Sequence, residues 1–206
     1  MLALAAWPAR PSSAQSSGAT PAKTLLVVGD SLSAEYGLAR GQGWVALLDK
    51  RIADEHLGYR VVNASISGDT TSGGRSRLAT LIAQHKPQVV VLELGGNDAL
   101  RGLPLDMTET NLADMARRSK ASGARVLVAG IAVPPNYGRK YGEAFTALFA
   151  KVAHSEGAAL VPFILAGVAD GPDAEAMFQP DRIHPKAEAH PRILDNIWPV
   201  LKPLLK

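Results

Sequence analysis

Three residue types that together can cleave an acyl bond occur in this chain where a sheet could gather them. Ser31 follows directly on the apolar run Lys23 to Val28 and the Gly29-Asp30 pair that ends it. A hydroxyl at the end of a buried strand and the start of a helix faces a cleft where backbone amides favour developing negative charge. The same place suits a plain helix N-cap, for which serine is a preferred residue. His184 lies three residues after Asp181 and directly before Pro185. A serine nucleophile needs a neutral imidazole to take its proton, and the imidazole needs an acceptor that fixes its tautomer. Asp181 and His184 could supply both locally, although the pair also reads as an Asx-type turn leading into a helix. A carbonyl oxygen turning negative needs donors as well. Gly68 can present its N–H at close range, Asn97 can aim a side-chain amide, and the Ser31 amide would be the third donor. Ser-Gly-Asp and Gly-Asn-Asp also punctuate ordinary loops, so each residue alone decides nothing.

These residues are far apart in sequence, and the elements between them must bring them together. Lys23 to Val28 is an unalternating apolar run, as expected of a strand buried on both faces. Trp44, Leu47, Leu48 and Ile52 then recur at helical spacing until Gly58. Arg60 to Asn63 reads as a second strand, Ser65 to Gly74 as a polar turn, and Leu78, Leu81 and Ile82 as a helix ending near His85 and Pro87. Val89 to Leu94 is apolar except for Glu93 and runs into Gly95-Gly96-Asn97-Asp98. Leu112, Met115 and Ala116 mark a helix, Arg125 to Ala129 a strand, Phe145 to Val152 a helix, and Ala158 to Phe163 a last strand. Leu165 to Arg182 reads as a loop with one turn of helix. A final helix carries Ile193, Ile197 and Leu201 and is bent or interrupted at Pro199.

Alternating strands and helices predict an α/β fold, a flavodoxin-like three-layer α/β/α sandwich on a parallel sheet of about five strands. Right-handed crossovers put all the strand-end loops on one rim. Asp30-Ser31, Gly68-Asp69, Gly95 to Asn97 and Asp181 to His184 converge there in this reading.

In order along the chain, Gly29-Asp30-Ser31-Leu32-Ser33, Gly68, Gly95-Gly96-Asn97-Asp98 and Asp181-Arg182-Ile183-His184-Pro185 resemble the sequence blocks of the SGNH or GDSL hydrolases. The resemblance spans residues 29 to 185. It implies a Ser31-His184-Asp181 triad, an oxyanion hole of Ser31, Gly68 and Asn97, and metal-independent hydrolysis of acyl esters or thioesters with no cofactor. Order and size look especially like the bacterial acyl-CoA thioesterase I, protease I and lysophospholipase L1 group, which includes arylesterases. Arg182 stands where that group commonly has glycine. There is no convincing G-x-S-x-G elbow of the α/β-hydrolase kind.

Other chemistries could use some of the same residues. Asp30, Asp69, Asp98 and Asp181 could ring a divalent metal and hydrolyse a phosphate ester, but no compact His/Asp spacing demands one, and no metal is expected. Gly68 to Gly74 could offer amides to an anion in a non-enzymatic nucleotide- or anion-binding module. It lacks both the spaced glycines of a dinucleotide fingerprint and the Gly-Lys-Ser/Thr ending of a P-loop. A carbohydrate O-acetyl esterase would use the same triad and stays the nearer alternative. Candidate substrate walls are Leu32, Leu100, Leu103, Val133, Pro134, Tyr137 and Phe178, any of which could equally be core. Tyr141 could cover an acyl chain or pack the helix that follows.

Composition narrows the partners. Lys plus Arg number 22 against 19 for Asp plus Glu, a net charge of +3 scattered along the chain, which argues against nucleic-acid binding. The absence of cysteine among the 206 residues excludes disulfides and thiol nucleophiles. Beyond the first residues no stretch reaches the roughly 18 apolar residues of a membrane span. Met1 to Ala9 is apolar and Pro11 to Ala19 is rich in small residues, the pattern of a cleavable leader without a basic start. The expectation is a leader over 1–22, a hydrolase domain over 23–206, and a periplasmic or secreted location, with the cytoplasm as the alternative. The expected partners are small acylated substrates: aryl esters, acyl thioesters and lysophospholipids.

Overall fold

The computed structural model describes residues 23–206, so the expected leader lies outside the described residues. Five strands form one sheet: β1 (Lys23–Gly29), β2 (Tyr59–Asn63), β3 (Val89–Glu93), β4 (Arg125–Ala129) and β5 (Ala159–Val161). Their order is β2-β1-β3-β4-β5 and every pairing is parallel. This is the flavodoxin-like order, in which the chain reverses direction across the sheet between β1 and β3. That switch point is where Ser31 and Asn97 emerge.

The apolar runs are explained by burial on both faces. Leu25, Val27, Val89, Val91, Leu127 and Ala129 face one layer, built on α1 (Trp44–Asp54). Leu26, Val28, Val90, Leu92, Val126 and Val128 face the other. That second layer contains α2 (Thr71–His85), a short α3 (Gly96–Leu100), α4 (Leu105–Ala121) and α5 (Arg139–Glu156). After the single-turn α6 (Ala174–Met177), α7 (His190–Leu201) returns to pack beside α1. Each fully buried Leu, Val or Ile stabilises by roughly 1.5–3 kcal/mol, and together they make the rim from which the loops project rigid.

Three boundaries differ from the sequence reading. The turn from Ser65 ends at Thr70, because the Thr70 hydroxyl accepts the Gly73 N–H and the buried Asp98 carboxylate accepts the Thr71 N–H at 2.8 Å. The helix therefore begins at Thr71 and takes in Gly73 and Gly74, which the sequence reading left in the turn. β5 stops at Val161, since Pro162 has no N–H to continue the ladder. α7 passes through Pro199 and gives way to a tighter 3-10 turn at Lys202–Leu205.

Candidate active site

The first half of the site grows directly from the sheet. Gly29 of β1 lies in register with Glu93 of β3. A Cβ on Gly29 would come 2.8 Å from Glu93 Oε2 and 2.7 Å from Ser33 Oγ, so only glycine fits there. Ser33 Oγ and Glu93 Oε2 are 2.6 Å apart and fully enclosed. Burial, followed by the neighbouring Asp30 charge, pushes the Glu93 carboxyl well above the usual carboxylate range, against the hydrogen bonds from Ser33 and the Asp30 backbone. Asp30 is buried as well. Its Oδ1 accepts the Leu32 N–H at 3.1 Å and its Oδ2 accepts the Asn97 side-chain amide at 3.0 Å. Burial raises Asp30 to about 6, against the pull of those two hydrogen bonds and of His184.

Ser31 is half-buried at the mouth of this arrangement, between Asp30 and the core residue Leu32. Asn97 occupies the first turn of α3, entered through Gly95 at φ 123°. Gly68 adopts φ 81°, a region that strains any residue with a Cβ, and its carbonyl accepts from Arg101 at 2.7 Å.

The second half comes from a loop between α6 and α7. His184 Nε2 lies 2.9 Å from Ser31 Oγ, and His184 Nδ1 lies 2.7 Å from Asp181 Oδ2. An ionised carboxylate only accepts, so Nδ1 carries the ring proton and Nε2 is left to accept from the serine hydroxyl. The other Asp181 oxygen accepts the Ile183 and His184 amides, each at 3.0 Å. Burial alone would raise Asp181, but the hydrogen bonds from the His184 ring and from these amides outweigh it and hold the carboxyl at about 2. This turn requires φ 58° at Arg182, the left-handed conformation that a glycine would adopt freely.

Sequence reasoning missed what fastens that loop. The Tyr36 ring packs on the His184 imidazole with centroids 4.3 Å apart. Gln179 Nε2 donates to the Tyr36 carbonyl at 2.9 Å and the Gln179 amide donates to the His184 carbonyl at 2.8 Å. His190 is buried and accepts the Trp44 N–H on Nδ1 at 3.0 Å. It thereby caps α1 from 146 residues away, where Gly43 offers no side chain to do so. His190 also bonds the Pro185 carbonyl, next to His184. Nothing in local spacing signals these contacts. Glu93 did carry a signal, as the one acid in an otherwise apolar strand.

The expected wall residues separate. Leu32 is only 7% exposed and belongs to the core with α1 and α7, so burial corrects its assignment to the wall. Phe178 packs on the same core and bridges to Pro185. Leu100 and Pro134 are exposed, whereas Leu103 and Val133 are half-buried. Tyr137 and Tyr141 line an open groove of about 510 Å³ with Leu105 and Ala144, and this lining does not include Ser31. The four aspartates weighed as a metal ring each have separate partners: Asn97 for Asp30, Arg77 for Asp69, Thr71 for Asp98 and His184 for Asp181. Among the described residues no three His, Asp or Glu side chains gather to hold a metal ion, and no helix is long and apolar enough to cross a membrane.

A doubly wound parallel sheet with a Ser-His-Asp relay across its carboxyl edge defines a serine-hydrolase arrangement outside the α/β-hydrolase elbow class. The chain belongs to the GDSL-like lipase/acylhydrolase family, whose match covers residues 27–192. It is 58% identical to esterase TesA of Pseudomonas aeruginosa over 184 residues, 89% of this chain and 90% of the relative. It is 43% identical to thioesterase 1/protease 1/lysophospholipase L1 of Escherichia coli over 187 residues, 91% of this chain and 87% of the relative. A crystal structure of TesA superposes with a TM-score of 0.85 at 57% identity, covering 88% of this chain and 99% of that one.

Proposed function

We propose that this protein hydrolyses carboxylic esters with acyl or aryl groups and acyl thioesters, including lysophospholipids, through a covalent acyl-serine intermediate. The carrying observation is the unbroken relay Ser31 Oγ, His184 Nε2, His184 Nδ1 and Asp181 Oδ2, with separations of 2.9 and 2.7 Å. Ser31 Oγ attacks the carbonyl carbon as His184 Nε2 takes the hydroxyl proton. The negative oxygen of the tetrahedral adduct receives hydrogen bonds from the Ser31 and Gly68 amides and from the Asn97 side chain. His184 then gives its proton to the departing alcohol or thiol, activates a water on the acyl-serine, and returns the proton to Ser31. Asp181 stays ionised and holds the imidazolium. No step needs a cofactor. Leu100 and Pro134, which are exposed, and Val133 and Tyr137, which are half-buried, are the walls this reading assigns to the substrate.

The names of the relatives support this substrate class, since they include an esterase and a thioesterase/lysophospholipase. A panel of aryl esters, acyl-CoAs of graded length, lysophospholipids and acetylated sugars, run with wild type and Ser31→Ala, tests it. Turnover of the esters and thioesters that disappears in Ser31→Ala is expected. Preferred turnover of the acetylated sugars would move the assignment to a carbohydrate O-acetyl esterase. We further propose export to the periplasm or medium, supported by the apolar Met1 to Ala9 and the small-residue stretch to Ala19. Mass measurement of the mature protein, expected to lack most of residues 1–22, checks this.

A further inference from the structure

We propose that Asp30 is a positioning residue that fixes which end of the Asn97 amide faces the reacting carbonyl. This rests on the reading of Asn97 as an oxyanion donor.

A side-chain amide has a donor end and an acceptor end of nearly the same shape, so packing alone does not choose between them. A neighbour that only accepts does choose. Asp30 Oδ2 lies 3.0 Å from Asn97 Nδ2, and Asp30 Oδ1 is already taken by the Leu32 N–H at 3.1 Å. With both oxygens accepting, Asp30 is present as the carboxylate. Turning the amide over would set the Asn97 carbonyl against that carboxylate, oxygen to oxygen. One N–H of Asn97 is therefore spent on Asp30, and the second is left to point outward to the substrate. The Leu32 bond has its own effect, because it pins the backbone immediately after Ser31.

Asp30 and Glu93 are neighbouring buried carboxyls with different partners. Glu93 is 2% exposed, accepts from the Ser33 hydroxyl at 2.6 Å, and burial pushes its carboxyl well above the usual carboxylate range. His184 faces Asp30 from the catalytic loop and Asp69 from the start of α2. The Arg77 guanidinium reaches across to the Gly29 carbonyl at 3.5 Å.

The test is a double-mutant cycle on the full chain with one soluble aryl ester, measuring kcat and KM for wild type, Asp30→Asn, Asn97→Ala and the double variant. In Asp30→Asn the new NH2 group invites the Asn97 carbonyl to turn toward it, which puts the acceptor end of the Asn97 amide where its N–H faced the oxyanion. A fall in kcat of about 10²-fold, comparable to loss of an oxyanion donor, is expected with a much smaller change in KM. The double variant should be no slower than Asn97→Ala alone, since the effect runs through Asn97. Circular dichroism and a thermal midpoint verify folding. If Asp30→Asn does not fold, Asp30→Ser, which keeps an acceptor for the Leu32 amide and removes the one for Asn97, goes through the same cycle. Losses that multiply in the double variant, or an unchanged kcat in the Asp30 variant, overturn the proposal while leaving the oxyanion reading intact. An unchanged kcat in Asn97→Ala overturns both.

Discussion

The two halves of the site are held by different means. Ser31, Gly68 and Asn97 leave the ends of adjacent strands, and the side chains behind them, Asp30, Ser33, Glu93 and Asp98, are buried. Asp181 and His184 stand on a loop with no strand beneath it, and the Asp181 side chain is 37% exposed. That loop depends on a few specific bonds, from Gln179 to Tyr36 and to the His184 carbonyl, and on the Tyr36 ring. Where a sheet end supports the backbone, position follows from the hydrophobic pattern. Where a loop must carry chemistry, single polar contacts take over that work.

The largest expected effect falls on both halves equally. Ser31→Ala or His184→Ala should each lower turnover of a soluble aryl ester by at least about 10³-fold in a folded protein, because neither half catalyses without the other. A folded Ser31→Ala protein with near-wild-type turnover would falsify the covalent mechanism.

Asp181→Asn separates the halves more sharply. It should cost about 10⁴-fold in kcat, since the imidazole loses the partner that sets its tautomer. The variant should also differ in its stability against pH. Asp181 is held at about 2, below its ordinary 3.8, so its contribution is present above the ordinary value and is lost as pH falls through about 2. Acid titration followed by circular dichroism should show a flatter acid limb for Asp181→Asn.

His190→Ala probes the fastening of the loop side without touching the reacting atoms. Losing the bond to the Trp44 amide leaves a buried donor unsatisfied, with an expected loss of about 1–3 kcal/mol in denaturant unfolding. Burial holds His190 below its ordinary 6.5, so the stability it confers is present above that value and falls as the ring is forced to protonate at lower pH. Equal stability of wild type and variant across this range would remove His190 from the fastening.

The smallest effect is expected at Arg182. Arg182→Gly relieves a left-handed backbone and gives up only an ion pair to Glu175 between two highly exposed side chains. A gain of up to about 1 kcal/mol, read from the thermal midpoint, is expected with little change in kcat. A clear loss of stability would mean that the ion pair matters more to this turn than its backbone does.

The same contrast accounts for what the sequence disclosed. The strands, their parallel packing and the emergence of Ser31, Gly68 and Asn97 from their ends could be read from continuous apolar runs closed by glycine and polar residues. Asp181 and His184 were legible through their short spacing and the resemblance of their block. The start of α2 moved because Thr70 and the buried Asp98 act through individual hydrogen bonds, which periodicity averages over, and β5 ends early because Pro162 has no N–H to give. Leu32 reads as a pocket wall from its place beside Ser31, yet the turn held by Asp30 sends its side chain inward. The contacts of Gln179 with Tyr36 and of His190 with Trp44 join residues 143 and 146 positions apart, and no local pattern encodes them.

The bond between Ser31 and His184 closes a separation of 153 residues. α7, which follows the base directly, buries Ile193, Ile197, Trp198 and Leu201 against one face of the sheet. Contacts this remote form late, because a long stretch of chain must be ordered before they are rewarded. During synthesis the nucleophile, the glycine and the amide all leave the ribosome well before the imidazole does. An incomplete chain therefore lacks the imidazole that faces Ser31 and the α7 part of the layer that α1 begins, so the relay and the last of the core are completed together.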